Sequence, residues 1–123
     1  MIWRLALFIS AAILIAGGAM HAMAFEKTVA AVAQSNLPPF YASSFLALWL
    51  IDAVTLIGLG LVFGLTAIRP ASASAMTIAM LAFIPAGTAG LLYFNLGSFF
   101  AAHMLIGAAA LAWLSDLARP AAS

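Results

Sequence analysis

The chain has no cysteine and, across 123 residues, only four basic and three acidic side chains. Without cysteine there is neither a disulfide-stapled secreted domain nor a thiolate metal or nucleophile site. Charged residues make up 6%, against about 25% in soluble domains, which argues against a soluble globular enzyme. No basic patch exists to neutralise a phosphate backbone, so nucleic acid is not an expected partner. Also missing are His-x-x-x-His and Glu-x-x-His spacings, paired carboxylates, and a glycine-rich loop with a lysine. No catalytic constellation emerges, and the residues lean against an enzyme.

What the sequence has is apolar length: 67% of its residues are hydrophobic. The apolar stretches are long and continuous and do not alternate with period two, so a transmembrane barrel is disfavoured. A helical span takes roughly 20 residues. The runs at about 2–25, 40–67, 75–94 and 99–115 predict an all-α fold: one integral membrane domain over 1–123, a four-transmembrane-helix bundle running up-down-up-down. Glu26 and Lys27 close the first run, Arg69-Pro70 the second, Asn95-Leu96-Gly97-Ser98 the third, and Asp116, Arg119 and Pro120 the fourth.

Arg4, Arg69 and Arg119 fall on one side of this topology and only Lys27 on the other, so the positive-inside rule puts both termini in the cytoplasm of a bacterial inner membrane. A competing reading takes the first 24 residues as a secretory signal peptide, with Arg4 as its n-region and Ala22-Met23-Ala24 before the cleavage point. Between the first two spans, Val29, Val32 and Ala33 recur at helical spacing before Pro38-Pro39. They predict a short interfacial helix in the first outer loop, either a plain connector or a lid.

Helices in lipid associate through close backbone approach and polar contacts. The expected packing stripes are Gly17-Gly18 on the first span and Gly60 with Gly64 on the second. On the third they are Ala75, Ala79, Ala82, Ala86 and Gly90, and on the fourth His103, Gly107, Ala110 and Leu114. Pro85 withdraws a backbone donor mid-way along the third span, where a bend is expected. The same faces serve equally for a homo-oligomer or a membrane-protein partner.

Asp52 is the most informative residue. At the middle of its run, an aspartate costs about 2.5–3.5 kcal/mol to insert, so its carboxyl should face inward. Trp49 and Thr55 lie three residues to either side, on the same helical face. His21 and His103 lie in the outer half of the first and last spans, with Asn95 and Tyr93 at the hairpin. The expected site is therefore one outer cluster of Asp52, His103, His21, Trp49, Thr55 and Asn95.

Several readings of this cluster stay open. One is an interhelical hydrogen-bond network in a purely structural subunit. A second is a pocket for a small amphipathic ligand such as a quinone. A third is axial ligation of haem b by His21 and His103. A proton relay is weakened by the lack of ionisable groups in the inner half. Met20, Met23 and Met104 beside the histidines suggest a soft copper site, although methionine also fills ordinary cores.

The chain resembles small bacterial four-helix membrane proteins of the DoxX-like group. The resemblance lies in Gly17, Gly18 and His21 at the end of the first span, Pro38 and Pro39 in the outer loop, Trp49 and Asp52 on the second span, and the short final hairpin. It implies the four-helix membrane fold over the whole length, and carries over no catalytic residue.

Overall fold

The computed structural model describes residues 1–120; the last three residues of the tail lie outside the described residues. The chain is all-helical: α1 (Ile2–Met23), α2 (Phe25–Ala33), α3 (Pro39–Ile68), a 3-10 turn (Pro70–Ser72), α4 (Ala75–Leu96) and α5 (Phe100–Leu117). Four of these, α1, α3, α4 and α5, are long and apolar enough to cross a membrane. Helix α2 is the short element in the first loop.

The punctuation follows local chemistry. Pro39 opens α3 at a position where its missing N–H costs nothing. Arg69-Pro70 closes it, because a residue before proline is pushed out of the helical region. The Ser74 hydroxyl caps α4 by accepting from the Thr77 amide at 3.0 Å. Gly97, at φ +69°, makes the reversal into α5. Helix α4 continues past Asn95, which sits in its last turn instead of in the reversal, and runs unbroken through the buried Pro85.

Helix α1 is the hub. It packs along both α3 and α5, α4 packs on α5, and α3 and α4 scarcely touch, so the helices are ordered α3–α1–α5–α4. Helices α1 and α3 approach closely at two glycines. A Cβ on Gly18 would lie 2.7 Å from the Ile57 side chain and 2.8 Å from the Ala53 carbonyl oxygen. A Cβ on Gly60 would lie 2.6 Å from Ile15 and 2.9 Å from the Ala11 carbonyl oxygen. The two segments carry the same residues at the same spacing: Ala11, Leu14, Ile15, Gly18 and Ala53, Leu56, Ile57, Gly60. Two antiparallel helices with one motif thus pack reciprocally about a local two-fold.

Buried or half-buried side-chain donors stitch each packed pair to the facing backbone. Trp49 donates to the His21 carbonyl at 2.8 Å, Ser10 to Ala108 at 2.7 Å, and Trp113 to Ala79 at 3.0 Å. Ser10 is fully buried. Such bonds average about 0.6 kcal/mol within membranes.

The expected stripes on the hairpin are displaced. The buried face of α4 is Ile78, Ala82, Pro85 and Ala89, sharing only Ala82 with the expected set. On α5 it is Ala102, Leu105, Ala108, Ala109, Ala112 and Ser115, while His103, Ala110 and Leu114 are exposed. Alanine is small enough for close packing here, so the glycines do not mark the seam: nothing stands within 4 Å of a Cβ placed on Gly90 or Gly107.

Candidate functional site

The depth of Asp52 follows from how α3 is aligned on α1. At 1.5 Å per residue, α3 is about 45 Å long and α1 about 33 Å. Arg4 near the start of α1 donates to the Ile68 carbonyl at the end of α3 (3.0 Å), so the helices are level at the end bearing Met1, Arg69 and Arg119, the terminal end. The surplus of α3 projects at the opposite, loop end, beside α2. Asp52 stands sixteen residues, about 24 Å, from Ile68. Asp52 is thereby level with the last turn of α1, nearer the loop end of the packed α1–α3 pair than its middle. The midpoint of an apolar run locates a residue at mid-bilayer only if the whole run is immersed.

There Asp52 meets the last turn of α1. Its Oδ2 lies 3.5 Å from His21 Nε2, with the two side chains 38% and 26% exposed. This exceeds the roughly 2.7–3.2 Å of a good N–H···O bond, so the pair is loose and partly accessible. The His21 imidazole lies flat on the Trp49 indole, centroids 3.9 Å apart and planes 13° from parallel. The same indole donates its N–H to the His21 carbonyl, one of the last-turn carbonyls an α-helix leaves without a partner. Trp49 therefore fixes both the backbone and the ring of His21.

The outward edge of Trp49 forms part of an open groove of about 530 Å³ between α2 and the projecting part of α3. Lys27 and Thr28 supply its polar side, and Val32, Leu37 and Phe45 its apolar side. The groove itself offers the Trp49 indole, one cation and the Thr28 and Ser35 hydroxyls, while the His21 imidazole and Asp52 carboxyl adjoin Trp49 outside its lining. An aromatic wall beside a few polar groups suits the head of an amphipathic ligand.

The other expected members are placed apart. His103 is engaged within the α4–α5 hairpin: Nδ1 is 2.6 Å from the Tyr93 hydroxyl and Nε2 3.2 Å from the Ser98 hydroxyl. A neutral imidazole has one donor and one acceptor nitrogen, and two hydroxyls satisfy either tautomer. The loop end thus holds two separate clusters, His21–Asp52–Trp49 and Tyr93–His103–Ser98. Thr55 bonds to the Ile51 carbonyl of its own helix (2.8 Å). Asn95 is exposed and bonds to the Leu91 carbonyl one turn back (2.8 Å). Ligation of one haem by both histidines would require each ring to leave its present partners.

Sequence reasoning missed Ser98 as a histidine partner, although its spacing of five residues from His103 across a helix start was a readable signal. It also missed the guanidinium contacts at the terminal end. Arg119 donates to the carbonyls of Ala73 (3.1 Å) and Pro70 and lies over the Trp3 ring at 5.0 Å. Among the described residues, no group of three or more His, Cys, Asp or Glu is placed to hold a metal ion. Comparison of the chain with protein-family models, with curated proteins and with solved structures returned no match.

Proposed function

We propose that this small multi-pass protein of a bacterial cytoplasmic membrane, with both termini cytoplasmic, is a non-catalytic accessory protein that binds a small amphipathic molecule at its loop end. The observation that carries this reading is the Trp49 indole, held face to face by His21 beside Asp52 and itself forming part of the wall of a groove with an apolar side and a single cation. An aromatic or quinone-like head would pack against Trp49 and hydrogen-bond to Lys27 or Thr28 in the groove, with its chain leaving along Phe45 and Leu37 toward lipid, while His21 and Asp52 hold the indole in place from behind. Isothermal titration of the detergent-solubilised protein with a short-chain quinone tests it. Saturable binding that weakens about tenfold or more in His21→Ala and Asp52→Asn, and is unchanged in His103→Ala, is expected. Absence of saturable binding, or equal loss in all three variants, overturns it.

A second reading is favoured by one observation, the Trp49 N–H already engaged with the His21 backbone. On that reading the cluster only fastens α3 to α1. His21→Ala then lowers stability and affects no ligand.

A further inference from the structure

The terminal end gathers three of the chain's four basic residues around one turn. Arg4 on α1 donates to Ile68 (3.0 Å), Arg69 is the next residue, and Arg119 reaches back from beyond α5 to Pro70 and Ala73. The buried Trp3 lies under two of the guanidiniums, 5.7 Å from Arg4 and 5.0 Å from Arg119. Among the described residues the one acidic side chain near them is Asp116, three residues before Arg119. Three basic side chains against one acidic leave the described part of this end cationic.

Each guanidinium has five N–H donors. Arg4 has one engaged with the fold, and the Arg69 side chain has no hydrogen bond or ion pair among the described residues. Directly beneath Arg4 the α1 and α3 surfaces diverge into an apolar groove of about 430 Å³, formed by Ile2, Leu5, Phe8, Ala67 and Ile68. Arg4 is the one charged side chain in its lining, and Arg69 follows the lining residue Ile68 in sequence. An apolar groove with guanidiniums at and next to it matches a molecule with an aliphatic chain and an anionic head.

We infer that the α1–α3 groove at the terminal end binds an anionic phospholipid, one acyl chain lying against Leu5, Phe8 and Ala67 and the phosphate held by Arg4 and Arg69. A guanidinium fork suits phosphate oxygens, and basic pockets at helix ends select anionic head groups. A zwitterionic lipid would bring its own cation toward the same charges. The site is at the opposite end of the bundle from the Trp49 groove and is independent of the reading given for that groove.

Native mass spectrometry of the full chain from mild detergent, offered equimolar phosphatidylglycerol and phosphatidylcholine, tests the inference. The expected result is retention of phosphatidylglycerol over phosphatidylcholine, reduced about fivefold in Arg69→Gln and abolished in the Arg4→Gln, Arg69→Gln double variant. Leu5→Trp, which fills the groove and keeps the charges, should lower retention of both lipids. Arg69→Gln breaks no side-chain bond of the fold, so its result stands even if the double variant folds poorly. No preference in the native protein, a preference indifferent to Arg69→Gln, or full retention in Leu5→Trp overturns the inference. Displacement of the lipid by equimolar glycerol phosphate also overturns it, because it would reveal a site for the free anion.

Discussion

Gly18 of α1 and Gly60 of α3 are reciprocal: each admits against its own backbone the alanine carbonyl and isoleucine side chain that flank the other. Adding a methyl at either place drives a Cβ to within 3 Å of a backbone oxygen that cannot move alone. Gly18→Ala and Gly60→Ala should each destabilise by about 1–3 kcal/mol. Gly17→Ala and Gly107→Ala, whose Cβ would meet nothing within 4 Å, should be neutral. Unfolding in mixed micelles, followed by circular dichroism, distinguishes the two pairs.

The division of the polar residues into two clusters predicts a pattern of coupling. In a double-mutant cycle, His21→Ala and Asp52→Asn should be non-additive. His103→Ala and Asp52→Asn should add to within about 0.5 kcal/mol. Coupling of the second pair would mean that the hairpin histidine and the α3 carboxylate share a site after all.

Trp113 and Ser10 hold their neighbours by one hydrogen bond each to a backbone carbonyl. Trp113→Phe and Ser10→Ala should each cost about 0.6 kcal/mol and no more than about 2, because the accepting carbonyls already belong to a helix ladder. The same unfolding assay reads this, and a loss several times larger would point to repacking of α5.

The cysteine-free background makes topology directly measurable. Ser35→Cys, after α2, and Ser72→Cys, in the α3–α4 turn, should react with a membrane-impermeant maleimide from opposite sides of intact cells or inverted vesicles. The positive-inside count requires Ser72 on the cytoplasmic side. Labelling of both from one side would contradict the four-span topology.

The spans were legible because an apolar run bounded by Glu26-Lys27, Arg69-Pro70 or Asp116 leaves little choice of ends. Which residues meet was less legible. Ser10 and Leu14 lie on the buried face of α1 as their spacing implies, and Trp49 and His21 do come together. The α5 seam was misplaced because it was traced through Gly107, whereas Ala108, Ala109 and Ala112 pack as closely and leave His103 outside. The level of Asp52 in the bundle was unreadable because nothing local to α3 reveals that roughly its first two turns overhang α1. That information lies in a contact between Arg4 and Ile68, 64 residues apart.

The hub position of α1 has a consequence for biosynthesis. The buried Ser10 hydroxyl finds its acceptor 98 residues downstream, on α5. A ribosome delivering the helices in order therefore inserts α1 long before one of its two flanks is covered. Until then an insertase, a chaperone or lipid must occupy that flank. A nascent chain stopped before α5 thus leaves that flank of α1 and its Ser10 hydroxyl uncovered, and cutting after Ala24 would remove the helix that links α3 to the hairpin.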